Sequence, residues 1–268
     1  MVDRICISIN NRCNLKCKYC HFCEKGKIDD YPMNIMQILY NVKVYANHEF
    51  KIGFVGNGEP LLDYKMLKEY ITYISDSDYI KAYTITNGTI SLGDKEWEFL
   101  EDNHINVGFS LDGYKELHNI NRCNSYDIVM KNIETYKGIT GHYPTFNATV
   151  GKDSLENAER LIAFFEQFNS RVTFSRMIGR YGISLDEYKT FIELAEKSLS
   201  VRRGGFDCTM YGGLCGAGMN NFFFANGKVY LCGNCIDLAP LGDSDMSFYD
   251  LEKLKLNFDR QYCYKESL

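Results

Sequence analysis

The sequence predicts an α/β protein: a partial (β/α)6 barrel with a small C-terminal Cys-rich β-hairpin domain. Three observations predict it. Short runs rich in Ile, Val, Phe and Thr alternate with segments of helical periodicity between residues 4 and 199. That alternation breaks off near "VRRGG", Val201–Gly205. Beyond it Gly and Cys become frequent, and an Asn-Gly pair separates two short apolar runs.

Each element has its own signal. The expected strands are Arg4–Asn10, Lys51–Gly56, Ala82–Thr86, Asn106–Leu111, Thr145–Val150 and Arg171–Arg176. Between them Ile35, Leu39, Val42 and Ala46 recur at helical spacing, as do Leu67, Tyr70, Ile71 and Ile74. Trp97 and Leu100 mark a weaker helix. Val129, Ile133 and Tyr136 give the next, then Ala158, Leu161, Ile162 and Phe165, and finally Tyr188, Phe191, Ile192, Ala195 and Leu199. Strands alternating with helices make a parallel sheet with helices outside. Six such units are too few to close an eight-fold barrel, so an open barrel is expected, with functional residues at the C-terminal ends of its strands. "NNFFFANGKVYLC" then reads as a hairpin turning at Asn226–Gly227. The expected division is a barrel over residues 1–205 and a small unit over 206–268.

Composition narrows the function. The chain has 268 residues, 45% hydrophobic and 24% charged, enough for a sizeable core. A net charge of −5 offers no basic footprint for nucleic acid. No apolar run is long enough to span a bilayer and no signal peptide is evident, so a cytoplasmic protein is expected, with neither nucleic acid nor membrane as partner. In that compartment 11 cysteines, several of them clustered, point to metal or redox chemistry rather than disulfides.

The tightest cluster lies in "NRCNLKCKYCHFC", Asn11–Cys23. Cys13, Cys17 and Cys20 have the spacing C-x3-C-x2-C and directly follow the first strand. Three thiolates on one loop suit three irons of a cubane cluster and leave the fourth iron open. A zinc loop or unconnected structural thiols are the plainer readings.

This motif resembles that of the radical S-adenosylmethionine (radical SAM) superfamily, whose pattern places an aromatic residue before the third cysteine, as Tyr19 stands here. "GNGEP", Gly56–Pro60, resembles the family's Gly-Gly-Glu-Pro; Gly58, Glu59 and Pro60 match and Asn57 replaces a glycine. By resemblance this segment meets the amino group of SAM. "TNGT" ends the third strand and "SLDG" the fourth, as in many members. "SLDGYKELHNINR" is similar to a segment of the anaerobic sulfatase-maturating enzymes and related peptide-modifying members. The similarity implies that Ser110 and Arg122 hold the SAM carboxylate, a fit suited to a guanidinium fork, with Asp112 near the ribose. It also implies the reaction. A [4Fe–4S] cluster reduces SAM, a 5′-deoxyadenosyl radical forms, and a hydrogen atom is taken from the substrate. A flavodoxin- or ferredoxin-type protein would supply the electron.

The C-terminal cysteines carry a second resemblance. Cys215, Gly227 and Cys232 fit C-x11-G-x4-C, similar to the start of the SPASM domain and its shortened relative, the twitch domain. Both hold auxiliary [4Fe–4S] clusters. The chain lacks the further cysteine-rich tail of a full SPASM domain, so one auxiliary cluster is expected. Its expected ligands are Cys215, Cys232, Cys235 and Cys263, with Cys208 as the spare able to displace Cys235 or Cys263. A zinc knuckle is the alternative. Cys6, Cys123 and Cys23 are expected not to ligate, and His21 to be a polar loop residue.

Two substrate classes follow, and one reading without catalysis. The resemblance of "SLDGYKELHNINR" favours a peptide side chain or α-carbon. The first strand begins at Arg4, so peptide recognition is expected to fall to the barrel itself or to a separate protein. A short chain with one auxiliary cluster also fits a twitch-type dehydrogenase of a small molecule such as an aminocyclitol. The third reading is an iron–sulfur electron carrier or sensor, against which Glu59, Ser110 and Arg122 argue. For a general base, Asp207, Asp237 and Tyr211 are candidates, and spacing selects none of them.

Overall fold

The computed structural model describes residues 1–20, 22, 32–201, 208–211, 213–254, 256 and 258–264. His21, Cys23 and Asp207 lie outside these residues.

All six expected barrel strands form: β1 (Arg4–Ile7), β2 (Phe50–Phe54), β3 (Ile80–Thr86), β4 (Asn106–Ser110), β5 (Thr145–Val150) and β6 (Val172–Arg176). They pair in parallel, in sequence order, from β1 to β6. Helices follow them: α1 (Ile35–Tyr45), α2 (Tyr64–Ile74), α3 (Asp94–Asp102), α4 (Lys115–Asn121), α5 (Tyr126–Thr140), α6 (Lys152–Leu155), α7 (Ala158–Glu166) and α8 (Leu185–Ala195). This is the partial barrel that the periodicity predicts. Helix α3 is real because Trp97 and Leu100 are buried, with Trp97 packed on Phe109 and edge-on to Tyr136. Helix α8 starts on a capping box between Ser184 and Glu187.

Among the differences from the sequence reading, two bear on the site. Strand β1 stops at Ile7, because Ser8 Oγ donates to the Asn10 carbonyl and turns the chain out of the sheet. Helix α4 falls inside "SLDGYKELHNINR", where the sequence gives no clear helical stripe.

The C-terminal hairpin, β7 (Asn221–Ala225) and β8 (Lys228–Tyr230), turns where expected. Asn226 and Gly227 have φ of 54° and 70°, the pair of positive values a two-residue hairpin loop needs. Strand β7 lies parallel to β1, Cys6 opposite Phe223. The result is one nine-stranded sheet in the order β6-β5-β4-β3-β2-β1-β7-β8-β9, where β9 is Gly242–Asp243. A short helix α9 (Phe248–Leu251) then packs Phe248 onto Tyr45 of α1.

Side chains along β1 alternate in destination. Ile5 and Ile7 join the main apolar core, while Cys6 between them lines a cavity inside the barrel. No helix among the described residues is long and apolar enough to cross a membrane.

Candidate active site

A cavity of about 450 Å³ lies inside the barrel. Cys13, Cys17, Tyr19 and Cys20, from the loop after β1, form part of its wall. Gly58, Glu59, Ser110 and Arg122 form another part, delivered from the ends of β2 and β4 and from the end of α4. Pro60 does not line the cavity; it starts the 3-10 turn Pro60–Asp63 that follows Glu59.

Glu59 is the hub of this end. It is 2% exposed, and its carboxylate accepts from Leu61 N–H (3.0 Å), Thr86 Oγ1 (2.7 Å) and Asn87 N–H (2.6 Å). Burial raises its pKa while these donors oppose the rise. Its own N–H donates to the Arg12 carbonyl at 2.7 Å, which ties the Glu59 turn to the cysteine loop. Gly58 permits that approach: a Cβ there would overlap Asn10 Oδ1 and the Arg12 carbonyl.

The "TNGT" stretch, noted in the sequence but given no role, turns out to fasten the cysteine loop. Asn87 Nδ2 donates to Asn14 Oδ1 at 2.9 Å and approaches Cys13 Sγ at 3.8 Å. Asn14 Nδ2 donates to Thr89 Oγ1 at 2.7 Å. Asn87 is therefore a site residue that the sequence reading missed, and its only signal was the position of "TNGT" at the end of a strand.

Arg122 and Tyr19, both on the wall, are held from behind by Asp112. Asp112, which the resemblance puts near the ribose, is fully buried. It accepts from Tyr19 OH (2.8 Å) and from Thr149 N–H (3.1 Å), and pairs with Arg122 Nε at 3.1 Å. The Tyr19 ring lies 5.5 Å from the Arg122 guanidinium. A buried carboxylate needs such partners, and they hold Arg122 on the cavity. Behind them His118 is fully buried, and burial depresses its pKa to about 4. Its Nδ1 accepts from Asp112 N–H (3.3 Å); its Nε2 meets Ser125 Oγ (3.0 Å), which donates to the Arg122 carbonyl (2.6 Å).

The thiols of the loop are partly enclosed. Burial pushes Cys17 up to about 12 and raises Cys13 as well. They stay protonated until a cation draws them into thiolates. Cys123, beside Arg122, takes a hydrogen bond from Lys16 N–H at 3.3 Å and does not line the cavity.

The same cavity is also lined by Cys208, Cys215, Cys232 and Cys263. Burial pushes the Cys208 thiol up to about 12, and its nearness to Cys232, Cys263 and Cys215 adds to the rise. Cys235, expected as a ligand, is 1% exposed and off the cavity wall. It sits on the 3-10 turn Gly233–Cys235, packs with Cys215, Ala217 and Leu231, and has its Sγ 3.4 Å from Cys232 Sγ. Cys235 is thus set back from the cavity, whereas Cys208, the expected spare, lines it.

Comparison with known proteins identifies the family. The sequence is 24% identical over 210 residues to a cysteine-type anaerobic sulfatase-maturating enzyme of Clostridium novyi, covering 68% of this chain and 55% of that protein. The chain thus spans about half the length of the curated relative. Among solved structures, anSMEcpe with bound AdoMet superposes with a TM-score of 0.76 at 21% identity, covering 93% of this chain and 80% of the other. SuiB of Streptococcus suis bound to its precursor peptide SuiA gives 0.74 at 16% identity, covering 94% and 64%. The model of the Radical SAM superfamily matches residues 7–165, more than half of the chain. The protein belongs to the radical SAM superfamily.

Proposed function

We propose that this protein is a peptide-modifying radical SAM enzyme with two iron–sulfur sites. One observation carries the reading: two cysteine groups, a buried glutamate and a buried arginine all face one cavity. Support for a peptide substrate comes from the relatives, a sulfatase-maturating enzyme and a SuiB structure bound to a precursor peptide.

The residues present fit the groups the family implies. Three thiols on one loop suit a [4Fe–4S] cluster with an open iron. The wall also includes Asn57, whose buried Oδ1 has no hydrogen-bond partner among the described residues. An orphaned acceptor fits a donor group arriving with a ligand. Cys13, Cys17 and Cys20 would hold the cluster, with Glu59, Ser110 and Arg122 around SAM. Cys208, Cys215, Cys232 and Cys263 would hold one auxiliary [4Fe–4S] cluster. When bound, the cluster and SAM supply one-electron reduction and hydrogen-atom abstraction, with a flavodoxin- or ferredoxin-type protein as electron donor.

The chain's own part is placement and exclusion of water. Arg122 offers a fixed cation, braced by Asp112 and Tyr19. Glu59 keeps the turn after β2 pressed on the cysteine loop. Val55, Ile85 and Phe223 give the same cavity apolar surface. That surface sheds water from the place where a substrate side chain would enter.

The test is anaerobic. Reconstituted protein with SAM and dithionite is expected to release 5′-deoxyadenosine, and a cognate peptide to change mass in the same mixture. No 5′-deoxyadenosine from protein with intact clusters would sink the reading.

A further inference from the structure

Ser110 on β4, Asn147 on β5 and Thr173 on β6 stand level with one another in the sheet, and all three line the cavity. They form one polar row on the barrel wall. Ser110 ends its strand, whereas Asn147 and Thr173 lie short of the C-terminal ends of β5 and β6. Asn147 also leans. A Cβ on Gly108 would stand 2.3 Å from Asn147 Nδ2. Gly108 is level with Thr145, one side-chain layer below the pair Ser110 and Asn147. The carboxamide therefore lies over Gly108, deeper in the barrel than Ser110, and a glycine is what leaves it room. Asn147 and Thr173 are half-buried, and neither side chain has a hydrogen-bond partner among the described residues. Neither is sealed from the cavity. Unused donors and acceptors on a concave, largely apolar wall are what a ligand pocket presents.

The chemistry of the row selects the ligand. A carboxamide holds a donor and an acceptor side by side. An extended peptide residue matches it, because its own N–H and C=O point to the same side. An ammonium-bearing small molecule would instead call for a carboxylate. Glu59 is the one carboxylic acid among the described lining residues, and its oxygens already receive Leu61, Thr86 and Asn87. Val55, Ile85 and Phe223 make the surroundings apolar, which strengthens hydrogen bonds formed there. We propose that Asn147 reads one extended residue of the substrate backbone, donating from Nδ2 to its carbonyl and accepting at Oδ1 from its N–H, with the Thr173 hydroxyl as a further contact. This inference rests on the peptide-modifying reading and names the part of the wall that holds the peptide.

The experiment uses cluster-loaded protein with SAM, dithionite and one of two probes at equal, subsaturating concentration. One probe is acetyl-triglycine N-methylamide deuterated at its α-carbons. The other is the matching ester, with oxygen in place of each backbone N–H. The reading is the fraction of released 5′-deoxyadenosine that carries deuterium, by mass spectrometry. Wild type is expected to label about tenfold more from the peptide than from the ester, the worth of about one hydrogen bond. Asn147→Ala should lose that preference. Asn147→Asp keeps the shape but loses the donor, and labelling from the peptide should fall about tenfold. Gly108→Ala pushes the Asn147 amide aside and should act like Asn147→Ala. Thr173→Val should lower labelling a few-fold, and Thr173→Ser should restore it. A preference that survives Asn147→Ala overturns the proposal, as does equal labelling from both probes by wild type. Full preference in Gly108→Ala overturns it too, even where the Asn147 variants fail to load clusters. Deuterium taken from the peptide without regard to Asn147 leaves the peptide reading standing and sinks this inference alone. Unlabelled 5′-deoxyadenosine from wild type sinks both. No 5′-deoxyadenosine at all from wild type defeats the SAM reading beneath them.

Discussion

The two cysteine groups share a cavity and are built in opposite ways. Around the N-terminal loop the surroundings are polar: Asn10, Asn14, Asn87 and Glu59 hold it by hydrogen bonds. Cys13 is exposed, and Cys17 and Cys20 are half-buried. The C-terminal group is embedded in apolar matter. Cys215, Cys235 and Cys263 are buried, and Leu231, Leu256 and Phe258 pack around Cys215 and Cys235. A metal that must admit a ligand needs an approachable, hydrogen-bonded cradle. A metal that only stores or passes electrons is better closed off, as structural sites are. The contrast teaches that the two groups are not interchangeable reservoirs of thiol. One has three donors and an opening; the other has more thiols than a cluster takes.

The largest expected effect tests the open site. Ala at Cys13, Cys17 or Cys20 is expected to abolish SAM cleavage, read as 5′-deoxyadenosine by chromatography. Cys23→Ser should leave cleavage largely intact, because a fourth protein thiolate would occupy the position SAM needs. A Cys23 variant as dead as the other three would break the contrast between open and closed sites.

Next comes the closed site. Wild-type protein should carry about eight irons, and Cys208→Ala about four with a labile second site. Cys235→Ala should retain about eight. Iron and sulfide counts with electron paramagnetic resonance check this. The reverse outcome would restore Cys235 as the ligand.

Third is the brace behind Arg122. Removing one member of a buried ion pair strands the other, at about 3–5 kcal/mol. Arg122→Gln should therefore lower unfolding stability in urea by that order, while Asp112→Asn, which leaves Arg122 without its counter-charge, should loosen SAM binding as well. Equal stability of Arg122→Gln and wild type would show that Asp112 has enough partners in Tyr19 and Thr149.

Much of the fold was legible because periodicity is a local property. Ile5 and Ile7, or Leu67 and Ile71, announce a buried face by spacing alone. The pairing of β7 with β1 was not legible, since nothing within "NFFFA" says which strand, more than 200 residues away in sequence, will lie beside it. The site shows the same division. Cysteine spacing and "GNGEP" mark it in the sequence, yet spacing cannot tell Cys208 from Cys235. That choice depends on which way the turn after β8 carries a side chain. The buried cluster that Asp112 forms with Tyr19, Thr149 and Arg122 is likewise a tertiary fact.

The smallest effect separates the two regions by acid. All five histidines precede residue 143, so a histidine titration acts only on the N-terminal side. Among the described histidines, His118 is the one set into the Arg122 brace. Its depressed value of about 4, against an ordinary 6.5, means the unfolded chain binds the proton more readily than the native one. Stability from neutral His118 is thus full above pH 6.5 and is lost as pH falls toward 4. The shift corresponds to about 3 kcal/mol at most. The local cause is geometric: a proton on Nδ1 would face the Asp112 N–H that Nδ1 now accepts. Urea midpoints across pH 4 to 7 should fall more steeply for wild type than for His118→Gln. SAM affinity should weaken over the same range, while the signal of the auxiliary cluster stays constant. Parallel slopes for the two proteins would show that the acid response belongs to carboxylates elsewhere, and not to the brace that sets the open site apart from the closed one.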